Sequence, residues 1–493
     1  MKFAFEETVG ISAMGCYLPR LRVDLRQWCE WTSGDWGKVA AVTGRAFRMA
    51  GPDEDVYTMA ATAVLRLILD NGIDPRRVGF LALGTESSTD NAFGAVTVRG
   101  MIDRELRRRR MPALPRDVEV PEYKHACLSG MYALQGAARF ASLDREGRQA
   151  VVVASDIAEY ERGSSGEQTQ GAGAVAMLVE RSPALLAIDL GGAAGASAYR
   201  GPDFRKPAAR HRIDGYAAGT RRLSDFPVFS GRYSATAYLD AVTSAVETLW
   251  AADAAAPADQ LERVQGLFMH RPYRRMPVQA LSFLQVRAMA ASPARHPELE
   301  RLCRGCDTAL DDVLAELRVE PDLYGSVLAG QRAPAPWPAT VAVSAHLRAQ
   351  QAFRAFAQRV LGSGADLLEE VGNLYSASLP AWLAAGVEDA ARQGVELAGA
   401  PLLAVGYGSG DAALALPLTA VDGWQAAAAR IGFRRSLDNP VDLDREQYEA
   451  LHDRREVPGL ALHPCEQFTV DRTGTEYGRD FQDLAVDYYA YEY

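Results

Sequence analysis

Apolar positions follow two alternating rhythms through the first third of the chain. Residues 9–17 are a nearly unbroken apolar run containing Gly10 and Gly15, which predicts a core strand approached closely by its neighbours. Val56, Met59, Ala60, Ala63, Val64, Leu67 and Ile68 then recur at helical spacing and stop at Asn71-Gly72, a C-cap signal. Residues 78–83 read as a buried strand running into Gly84-Thr85-Glu86. Strand, helix, strand in this order predicts a mostly parallel sheet. Residues 118–123 read as extended, and Met131, Leu134, Ala137, Ala138 and Ala141 return to helical spacing, so Cys127 is predicted at a strand-to-helix turn. A valine-rich run at 150–155 predicts a central strand, followed by three glycines (Gly166, Gly171, Gly173) read as a turn before the next strand.

A second series begins near residue 184. Residues 185–190 predict a strand like the first, and 264–269 another that ends on His270. Between them, 202–230 is rich in arginine and poor in periodicity, which predicts a substrate-side loop. Helical patterns at about 277–345 are interrupted by prolines, the mark of an inserted helical region. Helix resumes to Glu370, Gly372-Asn373 follows, and 402–405 with 412–418 read as a hairpin around Gly406–Gly410. This divides the chain into an N-terminal half (1–183), a C-terminal half with the insertion (184–418) and a polar tail (419–493) to which the pattern assigns no function.

At 493 residues, 48% hydrophobic and 24% charged, the chain is a globular protein with a substantial core. Its formal net charge of -10 argues against a general nucleic-acid binder. No apolar stretch is long enough to span a bilayer and the first residues carry acids where a leader needs an apolar run, so a cytoplasmic location is expected. Six scattered cysteines do not form a disulfide framework, and Cys303-Arg-Gly-Cys306 lacks the partners of a zinc set, so no metal is expected. The arginine run 107–110 reads as a solvated face, or as a patch for carrier phosphates or an acidic carrier protein.

Four polar groups thus stand at strand ends or strand-to-helix turns: Glu86, Cys127, His270 and Asn373. In an α/β chain that edge is where active sites collect. A thiol at a helix N-terminus is stabilised as thiolate by the helix dipole and unpaired amides. Cysteine, histidine and asparagine together suit acyl-thioester chemistry, the thiol taking the acyl group and the other two donating to an oxygen that becomes negative. A carboxylate beside them adds proton removal from carbon.

With these motifs the sequence resembles the 3-hydroxy-3-methylglutaryl-CoA synthase family, within the thiolase fold. The resemblance runs over about residues 8–418 and rests on Glu54-Asp55, Gly84-Thr85-Glu86, Ala126-Cys127, Ser155-Asp156, the Gly166 to Ala174 segment, Asp203-Phe204, His270 with Pro272-Tyr273, Gly372-Asn373 with Tyr375, and Tyr407-Gly408-Ser409-Gly410. It implies two related α/β halves in αβαβα layers with a helical insertion in the second. It also implies Cys127 as acetylated nucleophile, Glu86 as general acid/base, His270 and Asn373 on the acceptor's oxygens, Tyr375, Ser409 and Gly410 lining the pocket, and Arg275 at the family's lysine position. The substrates implied are acetyl-CoA and an acetoacetyl-type thioester, with no cofactor beyond the thioesters, in a homodimer. Acyl carrier protein replaces coenzyme A in the polyketide β-branching alternative. A chain-initiating ketoacyl synthase would not need Glu86, and a scaffold for a thiolase-type partner would not need all four groups.

The chain departs from the family pattern at Leu128, where a tyrosine is usual, at Ser129-Gly130-Met131, and at Phe229-Ser230-Gly231, with Ile213-Asp214-Gly215 as a possible remnant of the displaced motif. Loss of the hydroxyl at 128 is expected to remove a donor, an effect of about 10² to 10³ in rate where such a donor acts on the transition state.

Overall fold

The computed structural model describes residues 8–88, 92–203, 226–410, 412–457, 459–460, 462 and 464–493. The expectations for Phe204, Ile213-Asp214-Gly215 and most of the 202–230 loop fall outside the described residues. In chain order the strands are Val9–Tyr17 (β1), Leu21–Asp24 (β2), Ala46–Met49 (β3), Val78–Gly84 (β4), Glu122–Tyr123 (β5), Gln149–Ala158 (β6), Gly171–Arg181 (β7), Leu186–Ile188 (β8), Ala194–Ser197 (β9), Gly266–Met269 (β10), Pro401–Gly408 (β11), Ala412–Ala420 (β12), Val441–Asp442 (β13), Gln467–Thr473 (β14) and Asp487–Glu492 (β15). Ten of them make one sheet in the order β10-β11-β12-β8-β1-β7-β6-β4-β5, with β9 beside β12.

The chain runs the same course twice. From β1 it passes through the helix Val56–Asn71 to β4, then through the helix Ser129–Leu143 to β6 and back along β7. From β8 it passes through Gly231–Ala251 to β10, then, after the inserted helices, through Ser378–Gln393 to β11 and back along β12. Each course ends in antiparallel pairing, β6 with β7 and β11 with β12, whereas β4–β5, β4–β6 and β10–β11 are parallel. The sheet is therefore mixed and not mostly parallel, because after each central helix the chain doubles back on itself. The predicted glycine turn is also shorter than expected, since Gly171 and Gly173 already lie in β7.

Burial on both faces explains the unbroken apolar runs. Along β6, Val151 and Val153 pack toward the Val56–Asn71 helix, while Ala150, Val152 and Ala154 pack toward Ser129–Leu143. The Ser129–Leu143 and Ser378–Gln393 helices touch each other between the two sets of strands. Val56–Asn71 and Gly231–Ala251 cover the outer faces, giving helix, strand, helix, strand, helix in layers. Val56–Asn71 begins on a capping box from Asp55 and ends on Gly72 at φ 60, as its sequence signals predict.

The described residues of 419–493 are folded against the rest of the chain and do not form a loose tail. β13 pairs with β2, and the β14–β15 hairpin packs on the Val56–Asn71 helix. Its tyrosines occupy the arginine run: Arg108 lies 3.3 Å over the Tyr493 ring, Arg109 lies 5.2 Å from Tyr491, and both arginines reach Glu105. Among the described residues no helix is long and apolar enough to cross a membrane, and no cluster of three or more metal-binding side chains occurs.

The loop entering Ser378–Gln393 crosses the start of β7 backbone to backbone. A methyl on Gly372, at φ +75, would stand 1.7 Å from the Gln170 carbonyl oxygen. Gly372→Ala should therefore lower the thermal midpoint sharply, by the equivalent of about 3 kcal/mol or more. Gly100→Ala, at a helical position with open space around it, should raise it by about 1 kcal/mol. Differential scanning calorimetry of the two variants checks both signs.

Candidate active site

The repeated course brings the four polar groups together in two equivalent pairs. Glu86 follows β4 and His270 follows β10, the matching strands of the two courses. Cys127 precedes the Ser129–Leu143 helix and Asn373 precedes Ser378–Gln393, the matching central helices. Asn373 is thus in a pre-helix loop and not at a strand end. Both pre-helix turns contain a residue in the left-handed region, Ala126 at φ 48 and Tyr375 at φ 44. Such a conformation costs on the order of 1–3 kcal/mol for a residue with a side chain and persists only where the surroundings hold it.

Cys127 is buried and its Sγ donates to Glu86 Oε2 at 3.1 Å. The thiol lines a cavity of roughly 250 Å³ with Tyr160, Gly166, Thr169, Phe229, His270, Tyr273, Asn373, Tyr375, Tyr407 and Ser409. Asn373 is held from behind: its backbone N–H donates to the Thr169 carbonyl, and its Oδ1 accepts from the Tyr375 N–H at 3.0 Å and the Ser378 hydroxyl at 2.9 Å. Those two donors fix the amide's orientation and turn its NH₂ into the cavity, where it also reaches the Tyr160 hydroxyl. His270 is 3% exposed, and burial pushes its pKa down to about 3, so the imidazole is neutral and offers one N–H. Burial likewise raises the Tyr160 and Tyr375 phenols, which remain protonated donors.

Asp156, at the end of β6 and fully buried, organises this edge. One carboxylate oxygen accepts from the Thr85 hydroxyl, the Glu86 and Ser87 amides and the Ser87 hydroxyl at 2.6–2.9 Å. The other accepts from the Ser376 amide at 2.9 Å and its hydroxyl at 2.5 Å. Asp203, also buried, accepts from the Tyr407 hydroxyl at 2.6 Å and the Gly410 amide at 2.7 Å, fixing the turn between β11 and β12. The sequence reading quoted both aspartates without assigning them a task and missed Tyr160, Phe229 and Tyr407 as cavity walls. A lone acid directly after a valine run, as at Asp156, is the signal that could have found the first.

Three expectations are corrected. Gly410 is tied to Asp203 and does not line the cavity. Arg275 is exposed at the start of the helix Arg275–Ala290 and does not line it either. Leu128 is fully buried and points away from the cavity, packing under β11 where a methyl on Gly406 would come within 2.4 Å of its Cδ1. The absent hydroxyl at 128 therefore removes no donor from this cavity.

Residues 5–183 match the family model described as hydroxymethylglutaryl-coenzyme A synthase N terminal. Across 458 residues, 90% of this chain and 91% of the relative, the sequence is 27% identical to the hydroxymethylglutaryl-CoA synthase of Haloferax volcanii. Over most of its length the chain is similar to hydroxymethylglutaryl-CoA synthases. The solved structure of MvaS in complex with 3-hydroxy-3-methylglutaryl coenzyme A superposes with a TM-score of 0.73 at 25% identity, covering 99% of this chain and 100% of that one. The curacin biosynthetic pathway HMG synthase, solved with its holo donor-ACP, shares the fold at a TM-score of 0.66 and 21% identity over 90% of this chain and 88% of that one.

The state of His270 has a measurable consequence. An unfolded histidine titrates near 6.5, so below that pH the unfolded chain binds a proton that the folded chain refuses until about pH 3. The stability linked to this group is fully present above about 6.5 and falls by up to about 1.4 kcal/mol per unit as the pH drops toward 3. The stability difference between wild type and His270→Phe, from urea unfolding at pH 7.5, 6 and 4.5, should shift against the wild type in that window. A difference constant with pH would show that the imidazole takes up its proton at the same pH in the folded and unfolded chain.

Proposed function

We propose that the chain is a condensing acyltransferase that joins an acetyl group to the ketone of a β-ketoacyl thioester. The observation that carries this reading is the 3.1 Å approach of Glu86 to Cys127, which lines a cavity together with neutral His270 and the oriented amide of Asn373. The Cys127 thiol gives up its proton, the thiolate attacks the acetyl thioester carbonyl, the carbon–sulfur bond to the carrier breaks, and the carrier leaves as a thiolate that takes a proton from solvent. Glu86 then takes a proton from the acetyl methyl, and the resulting carbon nucleophile adds to the acceptor's ketone. His270 and Asn373 suit the acceptor's thioester and ketone oxygens, because both are donors prearranged for charge that develops only during reaction. The Glu86 acid returns its proton to the new alkoxide. Water cleaves the enzyme thioester, freeing Cys127 and a 3-hydroxy-3-methylglutaryl thioester.

The reading assigns no cofactor, since the thioesters themselves supply the activated carbons. Coenzyme A is the first carrier proposed and acyl carrier protein the second. Arg275, exposed and with no carboxylate partner among the described residues, suits the phosphate that either carrier bears. A cytoplasmic location fits such soluble substrates. The strand β5 ends the large sheet with no further strand paired to it among the described residues, which supports a homodimer with two-fold contacts there. Light scattering should give twice the 53.4 kDa of one chain.

Incubation with acetyl-CoA or acetyl-carrier protein should add one acetyl group to the peptide containing Cys127, and the donor that works identifies the carrier. An unmodified Cys127 after exposure of folded protein to both donors would reject the reading. Glu86→Ala should acetylate at nearly the wild-type rate yet condense at least about 100-fold more slowly, within the 10² to 10⁴ typical of one general acid/base. Cys127→Ala should do neither. Glu86→Ala condensing normally while failing to acetylate would make the carboxylate an orienting group for the thiol.

A further inference from the structure

The helix Arg445–His452, in the segment to which sequence pattern assigned nothing, ends against the back of the catalytic cavity. His452 and Asp453 are 0% and 1% exposed. Burying two ionisable side chains is unfavourable unless each finds partners, and in a purely structural joint apolar residues would pack as well. The partners here converge on the chain between Tyr160 and Gln170. His452 Nε2 stands 2.8 Å from the Tyr160 carbonyl oxygen and 3.2 Å from Gln170 Oε1. Both oxygens only accept, so Nε2 carries the proton. Gln170 Oε1 also accepts from the Tyr160 N–H at 2.9 Å, and Gln170 Nε2 donates to the Tyr448 hydroxyl at 3.1 Å. The Tyr448 hydroxyl donates to Glu167 at 2.6 Å, and Arg162 donates to both oxygens of Asp453 at 2.8 and 3.1 Å. The Phe226 ring stacks on the imidazole at 5.4 Å.

Both backbone polar groups of Tyr160 are therefore pinned, its N–H by Gln170 and its C=O by His452. The Tyr160 side chain in turn packs with Cys127 and Tyr375 and stands edge-on to Phe229, on the wall of the cavity. We propose that His452 is a positioning residue for acyl transfer, setting through the Tyr160 carbonyl where the Tyr160 phenol stands against Cys127 and the incoming thioester. The proposal rests on the reading of Cys127 as the acylated nucleophile. It gives the C-terminal helix a task in the reaction that neither its sequence nor the four polar groups indicate.

The test uses the full-length protein and two readouts. In His452→Ala the maximal rate of Cys127 acetylation by the working donor should fall about tenfold or more with little change in half-saturating concentration, since misplacement of a positioned group by about 1 Å can cost up to about 100-fold. His452→Gln, whose amide N–H can reach the same carbonyl, should recover most of that loss. In a Tyr160→Phe background the histidine substitution should add little, because the hydroxyl that it positions is gone. Alkylation of Cys127 by iodoacetamide reads the same geometry without any thioester and should follow the same pattern. If His452→Ala fails to fold by near-ultraviolet circular dichroism, His452→Asn, too short to reach the carbonyl, takes its place in the cycle. Wild-type rates of acetylation and alkylation in the histidine variants would overturn the inference. Equal slowing with and without the Tyr160 hydroxyl would also overturn it, by showing a merely structural joint. A wild-type protein that accepts no acetyl group would fail the functional reading instead, and the alkylation cycle would still decide the positioning.

Discussion

One carboxylate holds the catalytic edge together. Asp156 receives six hydrogen bonds, four from the loop that carries Glu86 and two from the turn that follows Asn373 and Tyr375. The first loop belongs to the first course of the chain and the second turn to the repeated course, so this buried group is the joint between them. All six donors are neutral, and each belongs to a strand end or a helix start. A buried carboxyl group so fully hydrogen-bonded to fixed dipoles leaves little freedom to the donors around it. The position of Glu86 relative to the opposite half follows from this constraint.

The repeated course supplies the rest of the geometry. Matching strand ends deliver Glu86 and His270, and matching helix starts deliver Cys127 and Asn373. Each helix start is entered through one residue in the left-handed region, Ala126 on one side and Tyr375 on the other. These strained turns aim a side chain inward at the N-terminus of a central helix, and the close crossing of Gly171 with Asn373 and of Gly372 with Gln170 locks the second of them. Strain at these two points is held by the packing of the two central helices against each other, not by local preference.

The cavity is electrostatically quiet except at the thiol and its carboxylate. His270 is kept neutral by burial, and the phenols of Tyr160 and Tyr375 are kept protonated for the same reason. A site built this way offers oriented donors to an oxygen that gains charge and adds no competing positive charge. The pinned backbone of Tyr160 shows that this arrangement is supported from as far along the chain as His452.

By itself the sequence determined the elements and their chemistry. The apolar run at 9–17, the capped helix ending at Gly72, the thiol at a strand-to-helix turn and the histidine after a short strand were all legible, because each depends on periodicity and local caps. The resemblance of its motifs carried the fold class and named Glu86, Cys127, His270 and Asn373 together. Tertiary structure alone decided the antiparallel returns that make the sheet mixed, since pairing direction depends on which strand the chain meets after a helix. It also decided the inward or outward sense of individual side chains: Leu128 turns into the core, Arg275 into solvent, and the arginines after Glu105 onto the tyrosines of the C-terminal hairpin. Asp156, Asp203 and His452 reveal their tasks only through partners from about 70 to nearly 300 residues away in sequence, which no local pattern encodes. Such contacts arise from packing of the whole chain, and sequence spacing records only what neighbours on one element share.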